Sequence, residues 1–188
     1  MKGEDSAPQR QPFEREQDLA SALRVHDPEA WQQLFREQYQ RVYNYAYLRT
    51  GNTADADDIA SNVFAEAARG IERFRYQGAP VAAWIFRIAH NETVDALKHR
   101  KRTATTSIDE PTTADTLQAR DEIASADEWR DISAAMGKLK QEHRDVLMLR
   151  LVEGHSVMEV AAILGKTEGA VKVMQMRALQ SLRGKLQP

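Results

Sequence analysis

Apolar residues recur every three or four positions along most of this chain, which is the spacing of one face of an α-helix. The first such pattern begins at Asp27 and Pro28, a helix cap followed by a favoured first helical residue, and it ends at Gly51. A second predicted helix covers Asp55 to Arg69, and a third covers about Val81 to His99. No extended run of alternating β-branched residues appears, so the pattern predicts an all-α fold.

The helical pattern is interrupted in two places, and these interruptions divide the chain. Residues 1–17 are polar and contain two prolines, so we expect a disordered tail. Residues 103–127 lose the apolar periodicity and are rich in Thr, Ala and Asp, which predicts a flexible, acidic linker. The sequence therefore predicts two small helical domains, residues 18–102 and residues 128–188.

The second domain ends in a predicted helical hairpin. Ser156 and Glu159 have the spacing of a capping box, which starts the first helix of the hairpin. Gly165 is suited to the left-handed conformation that ends a helix, and Thr167 is suited to cap the helix that follows. The arrangement predicts a helix-turn-helix.

The last helix of this hairpin has two different faces. Four residues share one arc and are expected to face a core: Val171, Met174, Ala178 and Leu182. Five residues share the opposite arc and are suited to a major groove: Lys172, Val173, Met176, Arg177 and Gln180. An ordinary amphipathic helix with a solvated basic face would show the same spacing, so both interpretations stay open at this point.

The distribution of charge favours contact with a polyanion. The chain has a net charge of −2, yet the segments from Trp84 to Arg102 and from Lys166 to Pro188 carry balances of +3 and +4. The segment between them, Ser107 to Asp131, carries a balance of −6. Two basic segments joined by an acidic one predict two separate contacts with nucleic acid.

Several classes of protein are disfavoured by the composition. There is no cysteine, which excludes disulfides and thiolate metal sites, and the five histidines lack a compact ligand spacing. Asp55, Asp57 and Asp58 begin a helix, where carboxylates favour the helix dipole, so a magnesium site is the weaker interpretation. We expect no enzyme activity, no cofactor and no metal. No apolar run reaches the ~18 residues of a membrane span, so we expect a cytoplasmic protein without membrane contact of its own.

Two stretches of the chain resemble conserved regions of bacterial RNA polymerase sigma factors of the extracytoplasmic-function (ECF) type. The second region of that family is similar to the stretch DADDIASNVFAEAARGIERFRYQGAPVAAWIFRIAHNETVDALKHRKR. The fourth region is similar to LKQEHRDVLMLRLVEGHSVMEVAAILGKTEGAVKVMQMRALQSLR. The order of the parts, a helical domain, a linker and a helix-turn-helix domain, is also that of the family.

This resemblance implies an initiation subunit that directs core RNA polymerase to promoters. The implied partners are the clamp coiled coil of the β′ subunit, the flap of the β subunit, promoter DNA and an anti-sigma protein. The first domain would recognise and open the −10 element, and the second would bind the −35 element. The polymerase contact is carried over to three residues on the polar face of the second predicted helix: Asp58, Ser61 and Asn62.

The DNA contacts are carried over in the same way. For the −10 element they fall on an aromatic and cationic loop and on the helix after it: Phe74, Arg75, Tyr76, Gln77, Arg87, Asn91, Lys98, Arg100 and Lys101. For the −35 element they are the exposed arc of the last helix, together with Lys166 and Thr167 as phosphate contacts. Trp84 is assigned to packing. Val173 and Met174 depart from the usual family pattern, so the −35 sequence preference is not carried over.

Two alternatives remain at the level of the sequence. The hairpin would also suit an autonomous helix-turn-helix regulator that binds duplex DNA without polymerase. The acidic linker would occupy polymerase surfaces that accept polyanions, or it would only keep a flexible tether solvated.

Overall fold

The computed structural model describes residues 15–104 and 135–186. Within these two ranges the regular structure is helical and contains no strand, which confirms the predicted all-α class. Most of the predicted tail, most of the predicted linker and the first residues of the predicted second domain lie outside the described residues.

The N-terminal unit consists of four helices and a short 3-10 turn after the third. The helices are α1 (Glu16–Arg24), α2 (Pro28–Thr50), α3 (Thr53–Gly70) and α4 (Val81–Ala104), and the turn is Ile71–Arg73. Helices α2, α3 and α4 pack against one another, and α1 lies against α2 and α4. Their shared core contains large side chains that are fully buried, among them Leu34, Val42, Tyr45, Val63, Ile85 and Phe86.

Local chemistry sets the boundaries of α2 as the sequence predicts. The Asp27 carboxylate accepts hydrogen bonds from the backbone N–H groups of Glu29 (2.9 Å) and Ala30 (3.2 Å). Gly51 ends the helix with φ 66°, a left-handed conformation that disfavours residues with a Cβ.

Two helix ends extend slightly beyond the predicted bounds of the first domain. Helix α1 begins inside the predicted tail, because three buried residues, Leu19, Ala20 and Leu23, hold it against the core despite its short length. Helix α4 continues two residues into the predicted linker, since no Gly or Pro interrupts the run from Lys98 to Ala104.

The described part of the C-terminal unit is smaller. After a helical turn at residues 135–137 come α5 (Gln141–Leu147), which continues as a π-helical turn (Met148–Val152), then α6 (Val157–Leu164) and α7 (Glu168–Leu186). The Arg144 guanidinium joins the first two parts by donating hydrogen bonds to the carbonyls of Met136 (3.0 Å) and Gly137.

The predicted hairpin is confirmed in its details. Ser156 Oγ accepts from the Glu159 N–H (3.1 Å), and the Ser156 N–H donates to the Glu159 carboxylate (2.6 Å), so the capping box is complete. Gly165 has φ 63°, and Thr167 Oγ1 accepts from the Ala170 N–H (3.2 Å) to cap α7. The two units also touch, because α6 packs against α4.

Candidate nucleic-acid interface

A cavity of about 370 Å³ opens where the loop after α3 meets the beginning of α4. Its lining combines cationic, amide and aromatic side chains with one residue from the second unit: Arg73, Phe74, Arg75, Gln77, Trp84, Arg87 and Ala162. The rings of Phe74 and Trp84 lie 5.0 Å apart at an angle of 40°. An aromatic wall with cations around it is suited to an unstacked base and its phosphate.

The loop residues predicted to contact DNA are brought together here, with one exception. Phe74, Arg75 and Gln77 line the cavity, whereas Tyr76 is exposed and is not among the lining residues. Arg75 Nη1 donates to the carbonyls of Glu72 (2.6 Å) and Phe74 (2.9 Å), which fixes its guanidinium over the turn.

Trp84 has two roles in this structure. It packs against the hydrophobic core, as the sequence predicts. Its ring also lies beside Gly70, where an added Cβ would be 3.7 Å from Trp84 Cζ2. It is also only half-buried and forms part of the cavity wall. Helical spacing alone did not assign this second role, because the loop that carries Phe74 has no periodicity.

The remaining residues predicted for the −10 contact lie along α4 and have different surroundings. Arg87 and Asn91 are exposed. Lys98 forms an ion pair with Asp95 on the same helix (3.0 Å). Arg100 donates to the Thr50 carbonyl (2.9 Å) at the end of α2. The last predicted residue, Lys101, is also exposed. Arg87 is therefore the α4 cation that the structure places at the cavity.

The polar face of α3 lies apart from this cavity. Asp58, Ser61 and Asn62 are exposed, while Ile59 and Val63 of the same helix are buried. The structure thus places the three predicted polymerase contacts together on an accessible surface, and their role stays a prediction.

Helix α7 has the two faces that the sequence predicts. Val171 and Ala178 are fully buried, and Met174 and Leu182 are partly buried against the core. The predicted DNA-facing residues are all exposed: Lys172, Val173, Met176, Arg177 and Gln180. Exposed Val173 and Met176 give this face an apolar component, which is suited to thymine methyl groups.

Lys166 and Thr167 lie at the turn before α7, and both are exposed. The Thr167 hydroxyl already caps α7, so a phosphate would share it with the Ala170 N–H. Lys166 is close enough to His90 of α4 to help lower the pKa of that histidine. The turn of the second unit therefore lies beside the helix that borders the cavity.

Sequence reasoning missed a set of polar residues between the two units. Arg49 of α2 forms a buried ion pair with Asp145 of α5. Arg41 of α2 pairs with Glu153 (Nε to Oε2, 3.4 Å), and the His155 ring meets the Phe86 ring edge-on at 4.5 Å. The sequence does contain a signal for such a contact. Arg49 follows Tyr45 and Ala46 in the apolar stripe of α2, and a charged residue is rarely buried without a partner.

Burial also changes the titration of two histidines at this contact. Burial and then the Arg49 charge and Lys166 lower the pKa of His90 to about 4. Burial and then Arg41 lower the pKa of His155 to about 4, although the Glu159 carboxylate acts in the opposite direction. Both imidazoles are neutral near pH 7.

Among residues 15–104 and 135–186, no group of three or more His, Cys, Asp or Glu side chains is arranged to hold a metal ion. No helix in the described part of the chain combines the length and the apolar character of a membrane span.

Comparisons with known proteins give the family. The family models for Sigma-70 region 2 and for Sigma-70, region 4 match residues 34–103 and residues 135–184. The ECF RNA polymerase sigma factor SigM of Mycobacterium tuberculosis (strain ATCC 35801 / TMC 107 / Erdman) is 31% identical over 161 residues, which cover 86% of this chain and 79% of SigM. The chain belongs to the ECF family of RNA polymerase sigma factors.

A further relative differs in length. The ECF RNA polymerase sigma factor BldN of Streptomyces coelicolor is 30% identical over 170 residues, which cover 89% of this chain and 64% of BldN. This chain therefore spans somewhat less than two thirds of BldN.

Two solved structures share the fold. CnrH, in complex with the cytosolic domain of CnrY, has a TM-score of 0.69 at 24% identity and covers 91% of this chain and 96% of its own. RpoE from Bartonella quintana, in complex with the anti-sigma factor NepR, has a TM-score of 0.69 at 21% identity and covers 82% of this chain and 95% of its own.

Proposed function

We propose that this chain binds core RNA polymerase, directs it to specific promoters and helps to open the −10 element. The observation that carries the proposal is the cavity lined by Phe74, Trp84 and Arg87, because it lies in the unit that matches Sigma-70 region 2. Opening a duplex requires a pocket that holds an unstacked base, and cations that bind the backbone of the displaced strand. The cavity combines both kinds of side chain.

The second DNA contact is assigned to α7. Its exposed face carries Lys172 and Arg177. Its first turn offers backbone N–H groups for phosphates, and Lys166 lies just before it. Two cations and two apolar residues supply position and modest base preference, so much of the promoter specificity is assigned to the first unit. Residues 18–102 and 128–188 are the proposed −10 and −35 domains.

The polymerase contacts are assigned to surfaces that the DNA contacts leave accessible. Asp58, Ser61 and Asn62 of α3 form a polar, acidic face that fits a basic partner, the clamp coiled coil of the β′ subunit. The second unit is proposed to bind the flap of the β subunit.

The chain is proposed to act without catalysis of its own, since members of its family are not enzymes and polymerase carries out the chemistry. Its place of action is the cytoplasm, where the promoters are. RpoE was solved in complex with an anti-sigma factor, and we extend that kind of partner to this chain.

Transcription by purified core polymerase tests the proposal directly. Core polymerase with this chain should produce a defined transcript from a cognate promoter selected from genomic fragments, and core polymerase alone should not. Arg87→Ala should reduce the yield from duplex promoter about tenfold and should recover on a template with a pre-opened −10 bubble. Arg24→Ala, at an exposed arginine of α1 that does not line the cavity, is the matched control.

An autonomous regulator would behave differently. It would bind a duplex site tightly as a dimer without polymerase, and core polymerase would not copurify with it. That pair of results would contradict the proposed function.

A further inference from the structure

We propose that Glu16 of α1 is a positioning residue for the −10 cavity. Its carboxylate caps the beginning of α4 and thereby fixes the loop at residues 74–80, which we call the cavity loop. That the cavity receives DNA rests on the proposed function, whereas the cap on α4 is a property of the free chain.

The cavity loop supplies much of the cavity wall. The lining residues that belong to the loop are Phe74, Arg75, Gln77, Ala79 and Pro80. Fully buried residues lie on both sides of the loop, with Ile71 in the 3-10 turn before it and Val81 at the beginning of α4 after it. The positions of the lining side chains therefore depend on how firmly these two ends are held.

The first end of the loop is held by local contacts. The Phe74 N–H donates to the Ile71 carbonyl (3.0 Å), and Arg75 Nη1 donates to the carbonyls of Glu72 (2.6 Å) and Phe74 (2.9 Å). Each partner lies within three positions in the chain. The sequence around the 3-10 turn is thus sufficient to set this end.

The second end has no such local cap. Val81 is the first residue of α4, and the first N–H groups of a helix have no partner within the helix. Pro80 precedes it, and a proline side chain offers no oxygen that could cap the helix as Ser, Thr, Asp or Asn would. Because Val81 is fully buried, an unpartnered N–H at this position would destabilise the junction of loop and helix.

Glu16 supplies the missing partner from 65 positions away. Its Oε2 accepts a hydrogen bond from the Val81 N–H at 2.9 Å. Glu16 is the half-buried first residue of α1, and the buried side chains of Leu19 and Leu23 hold that helix against the core. A negative charge at the N-terminus of α4 also interacts favourably with the helix dipole. The cap is therefore carried by a packed helix and not by the loop itself.

Helix α1 contacts the elements on both sides of the cavity loop. It packs against the 3-10 turn before the loop and against α4 after it. Glu16 does not line the cavity, so it acts on bound DNA only through Val81 and the loop. Its role is to keep the loop in the conformation that forms the cavity wall.

Amide hydrogen exchange of Val81, measured by NMR on the full free chain, tests the cap directly. Glu16→Ala removes the acceptor, so the Val81 N–H should exchange about fivefold faster, the factor expected for a typical helix cap. Glu16→Gln keeps a side-chain oxygen at the same reach and should restore most of the protection. Asp18→Ala removes an exposed carboxylate from the same turn of α1 and is the matched control, with unchanged exchange at Val81.

Transcription with core polymerase connects the cap to the cavity. On a duplex promoter, Glu16→Ala should reduce open-complex formation up to about fivefold, because a smaller fraction of molecules presents the ordered loop. On a template with a pre-opened −10 bubble, the yield should approach that of the wild type. A general loss of folded protein would lower both yields equally, so the ratio of the two separates positioning from stability. Glu16→Gln should restore the ratio, and Asp18→Ala should leave it unchanged.

The control for folding is the helical circular dichroism of each variant. Should Glu16→Ala lose helix, Glu16→Asp decides, because it keeps the charge in the first turn of α1 and shortens the side chain by one methylene. It should lose the contact with Val81 and show the same changes in exchange and in the template ratio.

Unchanged exchange at Val81 in a folded variant without the contact would overturn the cap. Faster exchange with an unchanged template ratio would overturn the positioning role. If the wild-type chain itself does not support initiation by core polymerase, the proposed function is contradicted, and the exchange of Val81 still decides whether Glu16 caps α4.

Discussion

His155 is a neutral histidine in a site that disfavours its protonation. It is 4% exposed, lies against the Phe86 ring and is close to the Arg41 charge. These surroundings lower its pKa from 6.5 to about 4, and only Glu159 opposes the shift. The contact between the two units thus lowers the pKa of the His155 imidazole.

The free energy of unfolding should depend on pH through this residue. Between pH 6.5 and pH 4 the unfolded chain binds a proton at position 155 that the folded chain does not, so stability falls as the pH is lowered. His155→Gln should reduce the slope in that window by up to ~1.4 kcal/mol per pH unit. Urea unfolding at half-unit pH steps measures it. An unchanged slope in His155→Gln would contradict this assignment.

Arg177 permits a prediction about DNA at the same scale. It is exposed on α7, so Arg177→Ala should leave the fold intact while it removes one cation from the DNA-facing arc. If that cation contacts a phosphate, the slope of log K against log salt for holoenzyme binding should decrease by about 1. A filter-binding titration across salt concentrations measures it. Lys138→Ala, outside α7, is the control, and an equal change in both variants would contradict the assignment.

At the scale of the element, the turn between α6 and α7 fixes how the recognition helix is presented. Gly165 ends α6 in the left-handed region, the Lys166 N–H donates to the Ala161 carbonyl (2.9 Å), and Thr167 caps α7. The Gly165, Lys166 and Ala170 N–H groups thereby gain partners at the turn. The angle between α6 and α7 follows from this local chemistry together with the buried face of α7.

Two glycines four residues apart should respond oppositely to the same substitution. Gly165→Ala places a Cβ in the left-handed region and should cost ~1–2 kcal/mol of stability. Gly169→Ala lies in the first turn of α7, where an added Cβ meets open space among the described residues, so it should be neutral or stabilise by up to ~1 kcal/mol. Urea unfolding of both variants measures the difference. Equal effects would contradict the geometry of the turn.

At the scale of the whole molecule, the two units should unfold with measurable coupling. Arg41 and Glu153 are separated by 112 positions in sequence and meet across the contact. A double-mutant cycle with Arg41→Gln and Glu153→Gln should give a coupling free energy of ~0.5–3 kcal/mol from urea unfolding. Units that do not touch would give zero.

The matched control cycle uses two exposed residues, one on each unit. Arg36→Gln and Glu142→Gln should combine additively, within ~0.5 kcal/mol. Coupling of the same size in both cycles would show that the Arg41 contact has no particular role.

The sequence by itself predicted most of the helices and the organisation of the hairpin. Caps such as Asp27 and Ser156, and stops such as Gly51 and Gly165, act through neighbours within four positions, so spacing along the chain suffices to find them. The buried face of α7 was found for the same reason. Helix α1 was missed because its nine residues gain their stability from the core rather than from local signals.

Some features of the candidate site were likewise found from the sequence, and others only from the tertiary structure. The sequence identified Phe74, Arg75 and Gln77 by residue type and by resemblance, but only the tertiary structure placed Trp84 beside Phe74 as a wall of the same cavity. Likewise, only the tertiary structure brought Arg49 to Asp145 and Arg41 to Glu153. The local pattern determined which faces are apolar and which residues are basic. Burial decided what those residues contact, because a buried charge requires a partner and that partner lies about a hundred positions away in the chain.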